Sequence, residues 1–292
     1  MQFTFFHLMP YRPLDMVERH KHRAAWVVLP NELYDPKKGA DEYHSYIEQL
    51  VYAEKLGFDI ISVNEHHQTA TCLDVAAPLS LAILARQTSK GRICILGNPI
   101  ANRADPIRIA EEMAMIDCIS RGRLDMGFVK GVPYEFPASN QNPVGVMDRF
   151  WEAHDFILKA MTSHGEPFNW DGRFYHYRNV NLWPRPFQQP HPPIWCPSQG
   201  SRETIEWAAH PDRKFVYVQT YSPAETVARF LDNKLRVMFW YRSPRDPQLV
   251  FGAQLQLPRL IADLRPVVKV EAPLHEEVCV ALLDDTARPL AT

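Results

Sequence analysis

The chain has no Cys-x-x-Cys pair, no excess of positive charge, no long apolar run and none of the common phosphate-loop signatures. Each absence narrows its function. The five cysteines, Cys72, Cys94, Cys118, Cys196 and Cys279, are scattered. They read as reduced thiols of a cytoplasmic protein, mostly core filler, and not as a disulfide framework. A net charge of −2 over 292 residues gives no basic footprint for nucleic acid and no polybasic membrane patch. No run approaches the ~18 apolar residues of a membrane span. The opening Met-Gln-Phe-Thr-Phe-Phe-His has neither the basic nor the apolar region of a signal peptide. No Gly-x-Gly-x-x-Gly follows the first strand, which argues against a dinucleotide Rossmann unit. Gly-x-x-x-x-Gly-Lys-Ser/Thr, Gly-x-Ser-x-Gly and His-Glu-x-x-His are missing as well, so no metal site is expected. No Schiff-base lysine or carboxylate pair stands out at a strand end, which weakens an aldolase or hydrolase reading.

What is present is a repeated pattern. Phe3 to His7 reads as a short aromatic strand, followed by a Pro-rich connection over 10–40 long enough to serve as a lid. A helix is expected from Tyr43 to Leu56, capped by Asp41 and stopped by Gly57. A strand over 58–63 then runs into Asn64-Glu65-His66-His67. The strand period of two places Glu65 and His67 on one side and His66 on the other, so only one histidine faces a ligand. The same triplet is compatible with a solvated loop or a closed hydrogen-bond cluster.

Further units follow. A helix over 74–87 has Ala76, Leu79, Ile83 and Leu84 as its apolar face, and a strand over 92–96 leads into Gly97-Asn98-Pro99. Asp105 and Pro106 form an N-cap and proline start for a helix with Ile109, Met113 and Ile116 inward, stopped at Arg121-Gly122-Arg123. Leu124 to Val129 is a strand ending in Lys130-Gly131. A helix from Asp148 buries Phe150, Ala153, Ile157 and Ala160, and an irregular insertion rich in Trp, Tyr and Pro fills 163–193. A strand over 193–196 turns through Ser198-Gln199-Gly200-Ser201 into a helix with Thr204 in its first turn. A strand over 215–219 and a helix from Ser222-Pro223 to about Leu231 complete six strand–helix units. Repeated units of this kind imply a parallel sheet with right-handed crossovers, open or closed into a barrel. His7, Glu65-His66-His67, Asn98, Lys130, Ser198-Gln199 and Gln219 all fall at strand ends, where barrel chemistry sits.

Four stretches carry a resemblance to a known family. They are Val63-Asn64-Glu65-His66-His67, Asn102-Arg103-Ala104-Asp105-Pro106 with the helix start that follows, Asp117 to Leu124, and Pro192 to Ser201. Together they resemble the bacterial luciferase-like flavin-dependent monooxygenases over residues 1 to about 232. The resemblance implies a TIM-type (β/α)8 barrel, usually a homodimer. It also implies reduced FMN delivered by a separate flavin reductase, O2 activated as a C4a-hydroperoxyflavin, and one oxygen atom passed to a small organic substrate. His66 matches the family's functional histidine. Lys130 and Arg149 match its basic phosphate ligands, and Ser201 and Thr204 its phosphate-holding hydroxyls. His7, Asn98, Ser198 and Gln199 complete the expected cofactor shell. A deazaflavin stays open as an alternative to FMN. A phosphate needs cations and free backbone N–H groups, and a helix start with an arginine beside it supplies both. Arg149, opening its helix, is expected to be solvent-reachable. Taken alone, Ser201-x-x-Thr204 also reads as a plain helix cap. Phe6, Phe128, Trp195, Trp170 and Trp183 are expected as apolar walls that exclude water.

Residues 233–292 depart from the family pattern. Leu235–Trp240, Val267–Val270 and Val278–Leu283 are candidate strands without helical partners. A truncated or frameshifted reading frame, or a divergent ending, would leave the barrel incomplete after its sixth unit. The competing function is then a non-catalytic flavin-binding protein.

Overall fold

The computed structural model describes residues 2–198 continuously. Beyond them it describes Glu206 and the strand segments within 215–219, 225–231, 234–242, 250–255, 282–283 and 289–291. The chain divides into two compact units, residues 1–218 and 219–292.

The first unit is built on a sheet of β1 (Thr4–His7), β2 (Ile60–Asn64), β3 (Arg92–Pro99), β4 (Leu124–Val129), β7 (Ile194–Ser198) and β8 (Phe215–Gln219), adjacent in that order. The pairs β1–β2, β2–β3, β3–β4 and β4–β7 are parallel. Every residue of β2 is buried, as are the first five of β4. This is the signature of parallel strands covered on both faces. The architecture is α/β, a TIM-type barrel sheet that is not closed. Helices α2 (Pro36–Lys55), α3 (Ala77–Gln87), α4 (Pro106–Ser120) and α6 (Val146–Thr162) are the crossovers. Ile61, Val63, Leu81, Ile95, Ile109, Met113, Met126 and Phe156 belong to one continuous core. Between α6 and β7 the insertion holds a hairpin, β5 (Phe168–Asp171) with β6 (His176–Val180). It packs on α6 through Phe156, whose ring stacks on Tyr177 at 4.4 Å. Among the described residues no helix is long and apolar enough to cross a membrane.

Several expectations need correction. Helix α2 begins at Pro36, not near Tyr43, and its N-cap is Asp35, which accepts from the Lys37 and Lys38 amides. Asp35-Pro36 is the same cap-and-proline signal as Asp105-Pro106, and it prevails over Asp41 because it adds two turns of helix. Gly39 tolerates this because the Tyr34 ring lies where a side chain would stand. The preceding connection contains α1 (Met16–His20) and a 3-10 turn over Asn31–Leu33.

Helix α3 buries Ala77, Leu81, Leu84 and Ala85, whereas Leu79 and Ile83 are 68% and 44% exposed. The helix is apolar nearly all round, so its periodicity does not single out one stripe. Asp105 caps α4 without a side-chain bond, and its carboxylate instead accepts from the Tyr177 hydroxyl at 2.5 Å.

In the second unit the helix expected up to Leu231 is a strand. β9 (Glu225–Leu231) pairs antiparallel with β10 (Lys234–Arg242), which pairs with β11 (Val250–Leu255). The sequence holds the reason: two runs rich in β-branched and aromatic residues flank Asp232-Asn233, a hairpin dipeptide. Two short strands, β12 (Leu282–Leu283) and β13 (Pro289–Ala291), form a separate pair. Val267–Val270 lies outside the described residues.

The amino-terminal ends of the central strands are fastened by charged groups. Arg123 donates to the carbonyls of Ser120, Gly91, Ala85 and Thr88 and to the Thr88 hydroxyl, at 2.7–3.1 Å. It thereby joins the ends of α3 and α4 to the start of β3. Replacing it strands several carbonyls. Arg123→Ala is expected to lower stability by about 2–4 kcal/mol in urea unfolding, and Arg123→Lys to recover little, since one ammonium cannot reach five acceptors. Full stability in the lysine variant would show that charge alone matters there.

Candidate active site at the strand ends

The loop after β2 is held from two sides. The Glu65 amide donates to the Gly97 carbonyl at 3.1 Å and the His66 amide to the Asp74 carbonyl at 3.2 Å. The side chains then divide as strand alternation requires. The buried Glu65 carboxylate takes His67 Nε2 at 3.1 Å, Arg103 Nη2 at 3.3 Å and the Ala77 amide at 3.1 Å, the first N–H of α3. His66 turns the other way, its Nδ1 lying 3.0 Å from Glu135 Oε1.

Glu135 is the residue that sequence reasoning missed. It opens the short α5 (Glu135–Ala138), within a stretch that reads only as a Pro/Asn/Gly loop. Its side chain is fully buried. It receives His66 Nδ1, the His67 amide at 3.0 Å, the Trp26 indole at 3.3 Å and the Asn102 amide at 3.4 Å. Burial pushes its pKa up, but the His66 bond and the other donors more than offset this and hold it below the ordinary carboxylate value. An ionised Glu135 accepts only, so His66 carries its proton on Nδ1 and presents Nε2 as a lone pair. Among the described residues Nε2 makes no hydrogen bond, and the Trp26 ring stands edge-on at 5.6 Å.

The turn after β3 reaches the same cluster through the Asn102 amide. A register shift between Ile95 and Asn98 re-aims the strand end. Gly127 permits it, since a Cβ there would stand 2.3 Å from the Leu96 carbonyl oxygen. Asn98 is fully buried, and both atoms of its amide lack a partner among the described residues. Arg149 is also buried, contrary to expectation: its Nε donates to the Ala101 carbonyl at 3.0 Å, while Nη2 has no described partner. The Tyr175 hydroxyl and Asn102 Oδ1 are likewise buried and unpartnered there. Burial raises the Tyr175 pKa to about 12, and the Arg149 charge opposes that rise. Buried polar atoms without partners are uncommon in folded proteins. A guanidinium nitrogen, a carboxamide and a phenol suit a ligand that carries both an anion and hydrogen-bonding edges. The residues present therefore fit a phosphorylated flavin.

His7 is turned to α2: its Nδ1 accepts from the Met9 amide at 2.8 Å, and its Nε2 is 3.3 Å from Gln49 Oε1. Its ring packs on Tyr46 at 4.6 Å, and burial lowers its pKa. Phe5 and His7 share the face toward α2, which leaves neither ring nitrogen of His7 for a cofactor. Lys130 is exposed at the end of β4. Ser198 ends β7, with only its backbone described, and Gln199, Ser201 and Thr204 lie outside the described residues. Of the expected walls, Phe128 is buried, Phe6 is partly exposed, Trp170 packs on Phe156 of α6, and Trp183 is 80% exposed.

The His66–Glu135 pair stands at a strand end of a TIM-type sheet, and comparison supplies the family. The luciferase-like monooxygenase family matches residues 23–253, and the chain belongs to it. It is 32% identical over 157 residues to the oxygenase component of flavin-dependent trigonelline monooxygenase from Acinetobacter baylyi, covering 52% of this chain and 42% of that protein. Protein y4wF of Sinorhizobium fredii is 31% identical over 191 residues, covering 64% of this chain and 54% of that one. The chain spans about half the length of the curated relatives it matches. In structure it resembles the oxygenating constituent of 3,6-diketocamphane monooxygenase from Pseudomonas putida, solved in complex with FMN. The TM-score is 0.56 and identity 18%, with 74% of this chain and 57% of that chain covered.

The Glu65 pair gives a pH test. The hydrogen bond that His67 donates to Glu65 raises the His67 pKa above 6.5, against the opposing effect of burial. Protonated His67 therefore stabilises the fold fully below pH 6.5, and that contribution disappears as pH rises through the raised folded-state value. The stability gap between wild type and His67→Gln should be widest below pH 6.5 and narrow at higher pH, measured by urea unfolding across the range. A gap that widens with pH would contradict the charged pair.

Proposed function

We propose that this chain acts as the oxygenase part of a two-component flavin monooxygenase, taking reduced FMN from a separate flavin reductase and oxygenating a small organic substrate with O2. The observation that carries the reading is the His66–Glu135 pair at the end of β2, in a chain whose family match spans residues 23–253. Reduced flavin, when bound, supplies the electrons for oxygen activation. The chain's own residues do the rest. Arg149 offers Nη2 to the phosphate, joined in this reading by Lys130, Ser201 and Thr204. The Asn98 amide, with Ser198 and Gln199, meets the polar edge of the ring system. His66 holds or takes a proton at Nε2, and Glu135 fixes its tautomer and stabilises the charged imidazole. Phe128 and Trp26 keep water from the reacting atoms.

The proposed assembly is a cytoplasmic homodimer, with the exposed Leu79 and Ile83 of α3 as the surface a second copy would cover. Sedimentation of the wild type as a monomer at micromolar concentration would exclude it.

The functional reading is tested by FMN titration and by oxygen uptake with an added flavin reductase. His66→Ala should lower substrate oxygenation by about a hundredfold, the usual worth of an acid–base group, and leave FMN affinity within about twofold. Arg149→Lys keeps the charge but loses the planar fork, and FMN affinity should fall about tenfold. FMN binding without any oxygenated product would make the chain a non-catalytic flavin-binding protein. Unchanged turnover in the His66 variant would remove that residue from the chemistry.

A further inference from the structure

Beside the His66–Glu135 cluster, but not lined by it, lies a cavity of about 740 Å³ under the connection between β1 and α2. Its size falls in the range of small-molecule sites, ~300–1,000 Å³. Tyr11, Leu29, Leu33, Tyr34, Tyr43 and Val75 are among its walls, and no residue lining it carries a charged side chain. The Tyr11 and Tyr34 rings meet at 4.9 Å, tilted by 45°.

The partition between cavity and cluster is one short segment, residues 25–27. Trp26 bridges to Thr69 in antiparallel fashion, and the Val27 amide donates to the Gln68 carbonyl at 2.8 Å. Alternation along this segment sends the Trp26 indole to Glu135 and His66, while Ala25 and Val27 line the cavity. Val27 has φ 39° and Gln68 φ 51°, facing each other across the bridge. Positive φ is costly for a β-branched residue and persists only where the surroundings enforce it. The backbone is thus held in a shape that keeps the two spaces apart.

We propose that this cavity is a second binding site, for an uncharged organic molecule with a ring and at most one or two polar groups. A phosphate or carboxylate would be desolvated there with no cation to meet it, so the flavin does not belong in it. The Tyr11 hydroxyl accepts from the Asp35 amide at 2.9 Å and keeps its own proton to donate, so a carbonyl or phenol oxygen has a partner. The site stands on its own geometry and does not depend on the flavin reading.

The neutral probe N-phenyl-1-naphthylamine, which fluoresces in apolar surroundings, tests this with the full chain. Saturable one-to-one binding is expected. Leu29→Asp, which puts a charge on the half-exposed wall, and Ala70→Phe, which fills the space, should each weaken it at least tenfold. Both should leave circular dichroism and FMN affinity unchanged. Cyclohexanone or phenol should displace the probe, and benzoate should not. No saturable binding, equal binding to both variants, or displacement of the probe by FMN would overturn the proposal. Because FMN affinity is read separately, its failure is distinguishable from failure here.

Discussion

A buried carboxylate holds the candidate site together. Glu135 accepts hydrogen bonds from the 25–27 segment, the loop after β2 and the turn after β3, through Trp26, His66, the His67 amide and Asn102. Burying an ionised carboxylate is costly unless donors engage it, and here three meet Oε1 and one meets Oε2. The consequence runs in both directions. The donors keep Glu135 ionised, and an ionised Glu135 fixes the tautomer of His66 and the path of three separate chain segments. Removing it would leave four donors without their acceptor and loosen the loop that carries His66.

Glu65 performs the complementary task one residue earlier. It ties the same loop to the first turn of α3 and to Arg103 of the β3–α4 connection. Neighbouring positions at one strand end thus face opposite ways: Glu65 pairs with His67, and His66 turns to Glu135. The parallel sheet makes this division available, since its strand ends converge while its flanks are fully covered by helices. The fastening by Arg123 at the opposite end of the strands has no ligand to serve and reads as stability alone.

Much of this was legible in the sequence where the signal is local. The limits of β4 and β8, the start of α4 at Pro106 and the inward face of α6 follow from caps, prolines and periodicity. The alternation at Glu65-His66-His67 also matches the way the side chains part, His67 to Glu65 and His66 to Glu135. What escaped is long-range. Nothing around Glu135 marks it, because its meaning comes from partners up to 109 residues away. His7 sits at a strand end and looks like a ligand, but its bonds to Met9 and Gln49 show a histidine spent on packing. Asp35-Pro36 is a local signal inside a connection that reads as Pro-rich and lid-like. Leu79 and Ile83 were placed inward because α3 offers two apolar stripes, and only the neighbours decide between them.

Those neighbours also explain how one segment can serve two environments. Residues 25–27 present an indole N–H to a carboxylate on one side and aliphatic side chains to an uncharged cavity on the other. Around the Trp26–Thr69 bridge successive side chains diverge, so one short stretch serves both sides. A helix in the same place would spread its side chains around an axis and could not divide the two spaces so sharply. The positive φ of Val27 and Gln68 follows from the same demand: the segment must turn away immediately after the bridge, and neither position has a glycine to make that turn easily. The segment is therefore held by its contacts and not by its own preferences. Its position depends on the Trp26–Glu135 bond, which links the wall of the cavity directly to the carboxylate that orients His66.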